Sequence, residues 1–192
     1  MNFLAHCHLA WHTNTDITSN LAGDFVRGSI ESLPTSLQQG VLLHRQIDKF
    51  TDAHPLFKQA CNQLSLNNPR IAPIVIDLLF DHCLAKHWQH YHHQTLPQFS
   101  AQVYNNALNH PDVPERLANI LPNMQRYDWF NSYREMEGIL KAMNGVSRRF
   151  SKPNYFSDVA DKVMTHQSEI EGMFFEFYKE LMGFSLACLT DG

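Results

Sequence analysis

A chain of 192 residues that is 44% hydrophobic can bury one full core, and a single domain over residues 1–192 is the expectation. Its formal net charge of -4 argues against bulk binding to nucleic acid or an anionic membrane, both of which need a basic face. The cysteines Cys7, Cys61, Cys83 and Cys188 form no Cys-x-x-Cys pair, so neither a thiolate zinc cluster nor a redox dithiol is suggested.

The first ten residues show no basic region followed by a long apolar run, and no apolar stretch approaches the roughly 20 residues that span a bilayer. A cytoplasmic protein is therefore expected. His6 and His8 lie in this opening stretch, ahead of Asn20-Leu21-Ala22-Gly23-Asp24-Phe25-Val26-Arg27-Gly28. On a helix, Asn20 and Asp24 are one turn apart and Arg27 follows on nearly the same side. Asp24 is a candidate ligand; Arg27 either holds a phosphate or serves as a favourable charge at a helix carboxyl end.

After Pro34, Leu37, Val41, His44, Asp48 and Thr51 recur at steps of four, three, four and three, which predicts a helix with all five on one face. Residues 71–87 are apolar nearly all round through Ile74, Val75, Ile76, Leu78, Leu79 and Phe80, the pattern of a helix in the middle of a bundle. Shorter helices are predicted at about 96–109, 114–125 and 129–150. In the last segment Phe156, Val159, Val163, Ile170, Phe174, Phe177, Leu181 and Phe184 form a stripe that reads as core packing. The sum is an all-α, single-domain bundle of about eight helices with no sheet.

Histidine is the compositional outlier, with 12 in the chain. Imidazole both ligates metals and carries protons near neutral pH, so the excess invites a functional reading, although His90, His92 and His93 read as surface residues. Within Asp77-Leu78-Leu79-Phe80-Asp81-His82 the two acids share a face of an apolar helix. Buried like charges require something positive, either a divalent cation or Arg and Lys side chains. His44 and Asp48, at i and i+4, could chelate one ion or act as ligand and supporting group; a satisfied core histidine is the competing reading. Oxygen ligands mixed with imidazole suit Mn²⁺ or Mg²⁺, with Fe or Zn also possible, and such a cation makes phosphoester hydrolysis feasible without a protein nucleophile. A Gly-rich phosphate loop, Gly-x-Ser-x-Gly and His-Glu-x-x-His are all missing from the sequence.

Several stretches taken together resemble the acyl carrier protein phosphodiesterases, a family related to the HD-type metal phosphohydrolases. They are Met1-Asn2-Phe3-Leu4-Ala5-His6-Cys7-His8-Leu9-Ala10, Gly23 through Gly28, Gly40 through His44 and Asp48 to Asp52, Asp77 through Asp81-His82 to Trp88, and Tyr133-Arg134-Glu135-Met136-Glu137-Gly138. The resemblance implies an HD-like helical fold and hydrolysis of the phosphodiester that joins 4'-phosphopantetheine to a serine of holo acyl carrier protein. It also implies Mn²⁺ as cofactor, with Mg²⁺ or Fe as alternatives. The family pattern carries over to Asp24, His44, Asp48, Asp77, Asp81 and His82, and to His6 and His8. Cys7 stands where the family more usually has leucine, and Asp81-His82 reverses the order of the dyad that names the wider group.

On that basis the expected metal ligands are His6, Asp24, His44, Asp48, Asp77, Asp81 and His82. Asp24, Asp48 and Asp81 are the expected catalytic acids, and Arg27 and Arg45 the phosphate-binding groups. Alanine at Asp24 or Asp81 is expected to abolish turnover with helicity kept. An acidic carrier protein as macromolecular substrate needs a basic patch, for which Lys141, Arg148, Arg149 and Lys152 are candidates; an ordinary solvated helix end is the alternative. No nucleic acid or membrane partner is expected, and the oligomeric state is open. Two rival functions remain: a phosphohydrolase acting on a nucleotide or other small phosphoester, and a non-enzymatic helical binding module.

Overall fold

A computed structural model describes residues 1–148 and 158–189. Among the described residues the chain forms ten α-helices joined by short turns, with no strand, so the all-helical reading holds while the count rises above eight. The helices are α1 (Phe3–His12), α2 (Ile17–Leu21), α3 (Thr35–Ala53), α4 (Pro55–Leu64), α5 (Ala72–Lys86), α6 (Leu96–Leu108), α7 (Glu115–Arg126), α8 (Trp129–Ser132), α9 (Met136–Ser147) and α10 (Val159–Ala187).

Part of the difference in count lies in the predicted helix at 129–150, which is two helices. Glu135 is extended, with φ -107° and ψ 140°, and interrupts it. Gly138 lets α9 close directly on the end of α8, since a Cβ there would lie 2.0 Å from the Ser132 carbonyl oxygen. Phe150, Phe156, Arg149 and Lys152 lie outside the described residues.

Helices α1 and α5 form the centre. Every residue of α1 from Leu4 to Ala10 is buried, and α5 is buried on nearly all sides, as its continuous apolar pattern requires. Around them α2 packs on α3 and α1, while the long α10 crosses α4, α3, α5 and α1. Val159, Val163, Ile170, Phe174, Phe177 and Leu181 of its stripe are buried, and Phe184 packs against the core from its edge. No described helix is long and apolar enough to cross a membrane.

Burying α1 leaves its first N–H groups without water, and its N-cap residue Asn2 makes no side-chain capping bond. Asp81 of α5 fills that need: its two oxygens accept from Leu4 N at 2.9 Å and Ala5 N at 3.0 Å. One carboxylate thus ties the two central helices together and meets the positive end of the α1 dipole.

His8, also on α1, is locked inside the core. Its Nε2–H donates to the Tyr91 carbonyl at 3.2 Å, which leaves Nδ1 to accept from the Tyr178 hydroxyl at 2.7 Å. Burial lowers its pKa from 6.5 to about 3. The unfolded chain therefore takes up this proton first as pH falls, so the contribution of neutral His8 is complete above pH 6.5 and is lost progressively toward pH 3. Urea midpoints at pH 7 and pH 4.5 are expected to show that loss, and His8→Gln is expected to narrow the gap between them.

Candidate metal centre

Two helices bring together groups that are far apart in sequence. His6 comes from α1 and His44 and Asp48 from α3, and their ligand atoms all lie within 4.8 Å of one another. His6 Nε2 is 3.1 Å from Asp48 Oδ1, and His44 Nε2 is 3.2 Å from Asp48 Oδ2. The two imidazoles stack with ring centroids 3.8 Å apart. Asp24, in the short 3-10 turn after α2, approaches His44 Nε2 at 3.7 Å. The imidazoles are buried, whereas Asp24 and Asp48 keep 42% and 40% of their side-chain surface exposed. The cluster therefore has a floor of imidazole and a solvent-facing rim of carboxylate.

The hydrogen-bond inventory of His6 constrains its state. Nδ1 lies 3.1 Å from Asn20 Oδ1 and Nε2 faces Asp48, so both nitrogens meet atoms that only accept. Burial, reinforced by the nearby His44 charge, lowers the His6 pKa to about 4, so the ring is neutral and carries one N–H. With that N–H on Nε2 the ring donates to Asp48, which is how His6 helps keep that carboxylate ionised; with it on Nδ1 the ring donates to Asn20 Oδ1, and the Nε2 lone pair is free to bind a cation held by Asp48.

His44 is the complementary case. Burial works to lower its pKa, but hydrogen bonds and charge from Asp24 and Asp48 raise it to about 9, and in the metal-free protein it carries the proton. Its Nδ1 is buried without a hydrogen-bond partner. Against burial, His44 and His6 hold the Asp48 carboxyl well below the usual carboxylate range; Asp24 is lowered for the same reason, chiefly by His44.

Other residues expected at the site are placed elsewhere. Asp77 and Asp81 do share a face of α5, but that face meets the start of the chain. Asp77 lies 3.1 Å from the Met1 α-amine, which is also 3.4 Å from Asp48, so Asp77 borders the cluster through that amine. Asp81 is fully buried under the α1 N-terminus, where both of its oxygens accept backbone N–H groups. Burial pushes its carboxyl up to about 7, opposed by the Leu4 and Ala5 N–H groups. His82 turns toward a different neighbour, donating Nδ1–H to the Tyr133 carbonyl at 2.7 Å, with Gln167 Nε2 3.5 Å from its other nitrogen.

The expectation for Asp81→Ala changes accordingly. Leaving two buried N–H groups unpaired is expected to cost about 2 kcal/mol of stability or more, read from urea unfolding, with turnover per folded molecule retained. Loss of turnover at full stability would return Asp81 to the catalytic set.

Arg27 is exposed, and the helical turn before it ends at Phe25 with Val26 extended, so it is not a charge at an α-helix end. Arg45 donates to the Gly28 carbonyl at 2.9 Å, and the φ of +92° at Gly28 turns that carbonyl toward it. Arg27 thus lies on the loop that follows Asp24, and Arg45 reaches that loop from α3. Of the basic patch, Lys141 is 75% exposed and paired with Glu137 at 2.8 Å, and Arg148 is exposed beyond the end of α9.

Two contributors escape spacing arguments. Asn20, marked only as a helical neighbour of Asp24, orients the His6 ring. Gly23 backs the His44 ring so closely that a Cβ would lie 2.2 Å from its Cγ.

A family model described as acyl carrier protein phosphodiesterase matches residues 1–181. Proteins named acyl carrier protein phosphodiesterase from Enterobacter sp. (strain 638), Yersinia pestis and Escherichia coli O6:H1 are 35%, 34% and 33% identical to this chain. Each alignment covers 95% of this chain and 96% of the relative. No solved structure matches.

Proposed function

Since the chain belongs to the acyl carrier protein phosphodiesterase family, we propose that it removes 4'-phosphopantetheine from holo acyl carrier protein with a divalent metal held by His6, His44 and Asp48. The single observation that carries the metal is the convergence of two imidazole Nε2 atoms on one carboxylate, with Asn20 Oδ1 placed to accept the His6 N–H from Nδ1 when Nε2 binds the cation. Mixed nitrogen and oxygen donors suit Mn²⁺, with Mg²⁺ or Fe as alternatives. A cation there would supply polarisation of the phosphoryl oxygens and a water of lowered pKa.

The remaining work falls to the chain. Asp24 stands ionised on the open rim, placed to accept a proton from the attacking water and return it to the serine oxygen as the P–O bond to serine breaks. Arg27, on the loop beside it, and Arg45, which reaches that loop from α3, offset charge on the phosphoryl oxygens. Asn20 holds His6 in one orientation throughout. The acidic carrier approaches over the basic run that includes Arg148, and kinship with the HD-type phosphohydrolases is part of the same reading.

The test is incubation of holo acyl carrier protein with the chelator-treated protein, with and without Mn²⁺, read by mass spectrometry. Loss of the prosthetic group only with metal, and no attack on free nucleotides, is the expected result. Turnover by fully metal-free protein would remove the metal, and nucleotide hydrolysis without attack on the carrier would replace the substrate.

A further inference from the structure

An open groove of about 580 Å³ lies beside the candidate metal centre, lined by Asp52, Phe57, Lys58, Cys61, Asn62 and Pro73. Its position follows from helix geometry. Asp52 is one turn beyond Asp48 on α3, and Pro73 is one turn before Asp77 on α5, so α3 leads from the centre, and α5 from its border, into the groove wall. Between them α4 supplies the floor, where the half-buried Cys61 is close enough to Asp77 and Asp52 for their charge to act on it.

Resting on the function proposed above, we infer that this groove receives the pantetheine arm of the substrate while its phosphodiester occupies the His6, His44 and Asp48 cluster. A phosphodiester bound there must send a flexible arm somewhere, and the groove begins about one helical turn away. The arm is uncharged, with methyl and methylene groups broken by two amides and a hydroxyl. Phe57, Cys61 and Pro73 offer the apolar surface for the first, and Asn62, Lys58 and Asp52 offer donors and acceptors for the second. A free phosphate would leave this surface unused.

Two measurements test it. Asn62 is exposed on α4, so Asn62→Trp fills the groove without touching the core. It is expected to raise KM for holo acyl carrier protein about tenfold with kcat near wild type, the pattern of lost ground-state binding. Separately, S-methyl 4'-phosphopantetheine, whose thiol is blocked, is expected to slow maleimide labelling of Cys61 in the wild-type protein, read peptide by peptide, whereas inorganic phosphate is not. An unchanged KM in the variant, or equal labelling of Cys61 with and without the arm, overturns the groove assignment while the proposed activity stands. A wild-type protein that leaves holo carrier intact removes both together.

Discussion

Asp48→Asn is expected to lower kcat/KM by at least about a hundredfold and to weaken Mn²⁺ binding to a similar degree, because this carboxylate is shared by both imidazoles. Changing groups that merely support a metal ligand already costs roughly 10- to 100-fold, and a direct ligand contributes no less. Asparagine keeps the shape but removes the charge that His6 Nε2 and His44 Nε2 face at 3.1 and 3.2 Å. The metal-free variant carries a second signature. Two carboxylates raise the His44 pKa to about 9, so losing Asp48 should bring its titration, followed by histidine NMR, closer to neutral. A variant that binds Mn²⁺ and turns over like wild type would show that Asp48 is not a ligand, whatever its distances.

The site was partly legible because its α3 half depends only on local periodicity. His44 and Asp48, at i and i+4 on the buried stripe of α3, are placed on one face by any helix through that segment. The same rule puts Asp77 and Asp81 on a common face of α5, but periodicity cannot say what that face meets. The answer came from the first residues: α1 is apolar and central, its N–H groups need an acceptor, and Asp81 supplies it. The positive groups that these buried acids meet are backbone N–H groups and an α-amine. Asn20 was visible as a spacing neighbour of Asp24, while its bond to His6 joins residues on two helices and exists only once α1 and α2 pack. In the same way the break at Glu135 answers to the close approach of Gly138 to Ser132, a tertiary contact inside a stretch whose apolar spacing reads as one helix.

Gly23 illustrates how a residue with no side chain can govern the chemistry of one that has it. Its φ lies outside the left-handed region, so alanine is conformationally acceptable there and any effect of Gly23→Ala must come from contact. The added Cβ would sit 2.2 Å from His44 Cγ, 2.5 Å from Cδ2 and 2.6 Å from Nδ1, distances that force the ring to move. The ring is already stacked on His6 at 3.8 Å, so its displacement disturbs both imidazoles of the proposed centre at once. A misplacement of about 1 Å can cost on the order of 100-fold in rate, and Gly23→Ala is expected to lose activity and Mn²⁺ affinity on that scale. Overpacking should also cost about 1–3 kcal/mol of stability, well short of unfolding a domain of ordinary stability. The matched control is Gly145→Ala in α9, where a Cβ meets nothing within 4 Å; it should leave kinetics unchanged and strengthen the helix by about 1 kcal/mol. If Gly23→Ala retains wild-type turnover and an unshifted His44 resonance, the His44 ring has room that its surroundings do not show, and the close fit behind it is not what positions the ligand.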